Sequence, residues 1–137
     1  MGLYLCIFNQ SGEELEGVEV GHYDDFGVFR YVVAEAIERK GLMHCPVLLN
    51  HSDCDGEWKS VEARELLSEL NRIEEALKHY PAIDYNSEWK KEVARRYGIR
   101  PKTLLDCFFD VDGEPLVERL QQLAKTSIET DQPILFQ

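Results

Sequence analysis

The longest amphipathic stretch constrains this chain most. From Val61 through Leu66, Leu70, Ile73 and Leu77 to Tyr80, apolar residues return every three to five positions and stop just before Pro81. That spacing paints one apolar stripe along a helix, and such a stripe has to be buried against another layer. Ser60 is the expected N-cap, with Glu62 and Glu65 near the positive end of the helix dipole. The opposing layer is expected from short apolar runs with strand character: LYLCIF at 3–8, CPVLLN at 45–50, TLLDCFF at 103–109 and PILFQ at 133–137. Val18 and Val20 alternate with acids and predict one further, edge-like strand.

Three more helices fit between these runs. Phe26, Phe29, Val33, Ala36 and Ile37 fall at helical spacing between Asp24 and Lys40, with Asp24 or Asp25 as cap and Gly41 past the end. Trp89, Val93 and Tyr97 mark a shorter helix after Ser87, stopped by Gly98. Leu116, Leu120, Leu123 and Ser127 mark a last one, with Pro115 in its first turn. Strands alternating with helices predict an α/β fold: a mixed sheet of about four to five strands with about four helices packed on it. No linker or low-complexity segment interrupts residues 1–137, which read as one domain.

Composition narrows the function classes. Apolar residues make up 44% and charged residues 30% of the 137, a globular balance. The net charge of −11 argues against nucleic acid and anionic membrane as partners and suits a basic protein. Acidity for solubility alone is the plainer reading of the same number. No apolar run approaches a membrane span. The opening MGLYLCIFNQ has neither a basic n-region nor a small-residue cleavage site, and Cys6 stands where a myristoylation signal wants Ser or Thr. Four cysteines without a C-x-x-C pair are expected to be reduced thiols, which places the chain in the cytoplasm.

One segment concentrates reactive residue types: NHSDCDGEW at 50–58, echoed by DVDGE at 110–114. Each follows an apolar run and precedes a helix. If those runs are parallel strands, both turns meet at one sheet edge, where ligands of open α/β sheets gather. Calcium fits poorly. With Gly56 at position 6 of an EF-hand loop, Asp53, Asp55 and Glu62 fall at 3, 5 and 12, but His51 occupies position 1. Zinc fits no better, because His44 and Cys45 are separated from His51 and Cys54 by a strand's length of roughly 20 Å. The D-x-D-G-T motif of haloacid-dehalogenase-like phosphatases is broken at its last position by Glu57 and Glu114. No cofactor is expected. Turn and cap duty accounts for Asp55, Gly56, Asp112 and Gly113 without chemistry. Trp58 reads either as a cap on the core or as an interface anchor.

Four blocks in order, VGHYDDFGVFR at 20–30, HSDCDGEW at 51–58, DVDGEPLVERLQQL at 110–123 and the terminal PILFQ, resemble a family of small bacterial immunity proteins encoded beside polymorphic toxins. The resemblance implies a non-enzymatic cytoplasmic protein that binds a cognate toxin. It marks Tyr23, Asp25, Phe26, Arg30, His51, Asp53, Asp55, Gly56 and Trp58 as matching positions. The expected partner-facing residues are Asp24, Asp25, His51, Asp53, Asp55, Glu57 and Trp58. A small metal-assisted hydrolase using both D-x-D-G turns is the alternative, and it requires Asp53, Asp55, Asp110 and Asp112 to converge.

Overall fold

The computed structural model describes residues 2–41, 44–52, 56–84 and 87–137. The chain forms an α/β fold around a four-stranded sheet. β1 (Gly2–Phe8) and β2 (Glu14–His22) make a hairpin, and α1 (Tyr23–Val33) follows, running on as a π-helical turn at Ala34–Glu38. Next come α2 (Pro46–Leu49), β3 (Glu57–Trp58), α3 (Ser60–Leu77), α4 (Glu88–Tyr97), a 3₁₀ turn at Leu104–Cys107, α5 (Leu116–Thr130) and β4 (Ile134–Phe136). Strand order across the sheet is β2-β1-β4-β3, and every pairing is antiparallel, where a mixed sheet was expected.

The hairpin turn is set by Asn9, whose Oδ1 accepts from the Ser11 and Glu13 amides. β1 is the innermost strand in composition, with Leu3, Leu5, Cys6 and Ile7 fully buried. β4 lies beside it, pairing Leu5 with Phe136 and Cys6 with Leu135. Reciprocal bonds between Tyr4 and Gln137 extend that ladder. α3 and α5 pack on each other, and α5 also meets β1 and β2. The stripe that defined α3 is the one it buries: Ala63, Leu66, Leu70, Ile73 and Leu77 join Leu116, Val117, Leu120, Leu123 and Ala124 in the core. α3 begins at Ser60 itself, one residue earlier than a Ser60 cap would give; Lys59 is the cap, and its amide donates to Glu62. Gly98 ends α4 at φ +67, in the left-handed conformation expected of a helix stop.

Two runs expected as strands take other forms. CPVLLN holds α2, a single turn of helix. Pro46 occupies its first position, where the missing amide hydrogen costs nothing. Glu69, buried on α3, reaches across to accept from the Val47 and Leu48 amides at 3.2 and 3.0 Å, and Glu38 accepts from the Cys45 amide. Arg30 on α1 donates to the Leu49 and His51 carbonyls at 2.5 and 2.6 Å. The turn thus has carboxylates at its amide end and a guanidinium at its carbonyl end, the arrangement its dipole favours. TLLDCFF becomes the 3₁₀ turn, because Asp106 captures the Lys102 and Thr103 amides and Lys90 donates to the Cys107 carbonyl. Side-chain bonds to the backbone here displace a ladder.

Burial pushes the Glu69 carboxyl above its ordinary value, against the opposing pull of the two amides. A carboxyl raised on folding adds stability that is complete below its unfolded value and fades as pH climbs through the folded one. Wild type should therefore gain stability relative to Glu69→Gln when pH is lowered from 7 toward about 4.3, the ordinary glutamate value. Urea unfolding of both proteins across that range measures the slope, and parallel curves would contradict it.

A candidate interaction groove beside His51

The segment from His51 to Trp58 is held from inside. Trp58 is fully buried, and its indole N–H donates to the Val47 carbonyl at 3.1 Å. Its ring meets Phe136 of β4 edge-on, with centroids 4.7 Å apart. His51 stacks on the other side of this cluster, 4.2 Å from Phe136 and 5.3 Å from Trp58. Both His51 ring nitrogens face carbonyl oxygens, Nδ1 that of Ser52 and Nε2 that of Glu57, each at 2.8 Å. A neutral imidazole donates to one of these and the imidazolium to both. Gly56 turns the chain at φ +87, and its carbonyl accepts from the Phe136 amide. Of the two readings of Trp58, the core cap is the one the packing realises.

The other expected partner-facing residues are spread differently. Glu57 is exposed on β3, opposite Leu135. Asp24 is exposed on α1, while Asp25 accepts from the His22 amide and from the Trp89 indole at 2.7 Å. Asp53 and Asp55 lie outside the described residues, as does Cys54.

The echo at 110–114 serves the fold. Asp110 is buried and accepts from the Asp112 and Glu114 amides at 2.9 and 3.0 Å, closing a tight turn in which Gly113 takes φ +78 under the Tyr97 ring. Burial raises its carboxyl above the usual range; Arg119, whose Nε is 3.6 Å away, pulls the other way. The turn is fastened to β2, since Val111 donates to the Glu19 carbonyl and Arg119 to that of Gly17. Glu57 belongs instead to β3, and Gly56 leads into it. These are opposite edges of the sheet, three strand spacings or about 14 Å apart. The described end of the first acidic segment thus does not share an edge with the turn at 110–114. Among the described residues no group of three or more His, Cys, Asp or Glu is arranged to hold a metal ion.

What the fold does form beside His51 is an open groove of about 650 Å³. One wall is α1 and its π extension, through Gly27, Arg30, Tyr31, Ala34 and Glu38; the other is Leu49, His51 and Ser52. The α1 residues sit at i, i+3, i+4, i+7 and i+11, a single helix face. Asp24 stands one turn before Gly27 on that side. Tyr31 is 65% exposed, and Val28 is 36% exposed. A family model described as Immunity protein 70 matches residues 3–136.

The chain belongs to the Immunity protein 70 family. No curated protein and no solved structure matches it. The matched span of this Immunity protein 70 member runs from β1 to β4 and contains the whole groove. Sequence reasoning overlooked Gly27 and Tyr31 as surface features. The signal was there: Tyr31 falls off the 26-29-33-37 apolar face of its helix, and Gly27 is an odd choice inside one.

Trp58→Ala should cost about 3–5 kcal/mol of stability by emptying a packed core site. Asp24→Ala, on the surface, should stay within about 0.5 kcal/mol of wild type. Urea denaturation distinguishes them, and equal effects would refute the division between core and surface.

Proposed function

We infer that the chain neutralises a cognate protein toxin by binding it, without a catalytic step of its own. The observation that carries this is the family match, which covers the fold from its first strand to its last. Charge supports a basic toxin as the partner. The net charge is −11, and residues 1–29 include Glu13, Glu14, Glu16, Glu19, Asp24 and Asp25 but no lysine or arginine. An acidic surface of this kind accelerates encounter with a basic protein and repels nucleic acid. The reading places the protein in the cytoplasm; no described helix is long and apolar enough to cross a membrane.

Asp24, His51 and Glu57 are proposed as partner-facing groups, with Asp53 and Asp55 kept on their sequence position alone. Asp25 and Trp58 act through the fold, one by holding Trp89 and the other by filling the core. A metal-assisted hydrolase is disfavoured by the placement of Asp110, whose carboxylate is occupied by turn amides at the far edge of the sheet.

Co-expression with the toxin encoded beside the gene tests the reading. Cells should survive only when the immunity protein is present, and the purified pair should associate more slowly as salt rises. A drop of about tenfold or more in association rate between 50 and 500 mM NaCl is the expected scale of such steering. Survival without complex formation would point to catalysis, and death of the co-expressing cells would remove the immunity assignment.

A further inference from the structure

We propose that the groove over Gly27 receives an apolar or aromatic side chain of the toxin, carried on a segment with lysine or arginine to either side. This rests on the immunity reading above and specifies where and how the contact is made.

Gly27 gives the first reason. It stands inside α1, where glycine is a weaker helix former than alanine. Its backbone is ordinary: it is absent from the glycines with positive φ, which are Gly12, Gly21, Gly41, Gly56, Gly98 and Gly113. Packing among the described residues does not demand it either, since a Cβ there would meet none of their atoms within 4 Å. Neither backbone strain nor a neighbour among the described residues explains the missing side chain. Its effect is to leave the floor of the groove open.

The walls give the second. Arg30 ties α1 to the Leu49 and His51 carbonyls, and His51 is seated on Phe136, so the two sides are fixed relative to each other before any partner arrives. A preformed recess binds without the entropic cost of ordering itself. Tyr31 lies on its rim, 65% exposed, as central interface aromatics do in the free protein.

Charge decides the occupant. Arg30 and Glu38 both line the groove, one charge of each sign, so its interior singles out neither a cation nor an anion. Acids mark the two ends of the exposed face instead: Asp24, Val28, Tyr31 and Glu35 follow at i, i+4, i+7 and i+11. Glu35 pairs with Arg39 at 2.7 Å, an exposed pair that a partner's cation can replace at little cost. An apolar anchor between basic residues matches this order.

The test uses the full chain and an inactivated form of the toxin encoded beside it, with binding followed by calorimetry and folding by thermal melts. Gly27→Leu fills the recess, and Tyr31→Ala removes its rim. Leu15→Ala, an exposed apolar change on β2, serves as control. Gly27→Leu and Tyr31→Ala should each weaken binding by roughly 30-fold or more, the scale of an interface hot spot, while Leu15→Ala binds like wild type. Gly27→Leu should melt no lower than wild type; if it fails to fold, Tyr31→Ala decides alone. Should wild type bind and both groove variants bind within about threefold of it, the groove is not the contact and the immunity reading stands. Should wild type itself neither bind nor protect, both fall together.

Discussion

The fold depends on how one short turn is gripped at both ends. Left to itself, the four-residue helix Pro46–Leu49 is far below the length at which helices persist in water. It exists because Glu69 and Glu38 take up amides at its start while Arg30 takes up carbonyls at its finish. Those three side chains come from α3, from the π turn and from α1. The turn is therefore the point at which separate elements are fastened together. It also fixes the Val47 carbonyl that receives the Trp58 indole, and through Trp58 it fixes Phe136 and His51. Removing any of the gripping charges would leave buried polar groups unpaired, so the arrangement is costly to disturb.

This also explains which parts of the structure were legible in the sequence. α1, α3, α4 and α5 announced themselves by periodicity, because each buries one face and exposes the other. β1, β2 and β4 were legible from their composition and from the turn at Asn9. The two runs around Leu48 and Leu105 were not, because their backbone partners are side chains distant in sequence: Glu69 lies more than twenty residues from Leu48, and Lys90 reaches Cys107 from a neighbouring helix. A local apolar run of six residues carries no trace of such partners. β3 was hidden for the same reason, since two residues, Glu57 and Trp58, form a strand only when β4 is there to pair with them.

At the candidate site the division was similar. The acids of the D-x-D-G turns drew attention as chemistry, and the described one, at Asp110, proves to be a turn fastened to an edge strand. His51 and Trp58, the residues that turn duty left unexplained, are the pair that stack on the last strand. The surface features were quieter. A glycine in a helix and a tyrosine off the apolar face are weak signals singly, and only the fold shows that they border the same recess.

The position of β4 carries a further consequence, for timing. Ile134–Phe136 lies inside the sheet, between the first strand and the Trp58 strand, and no other described segment joins those two. The hairpin and the helices can form as they leave the ribosome, but β1 and β3 stay apart until Phe136 has emerged. Contacts this distant in sequence are slow to close. The sheet of this domain is therefore complete only once the segment carrying β4 has been made, and whatever depends on the joined sheet waits for that strand.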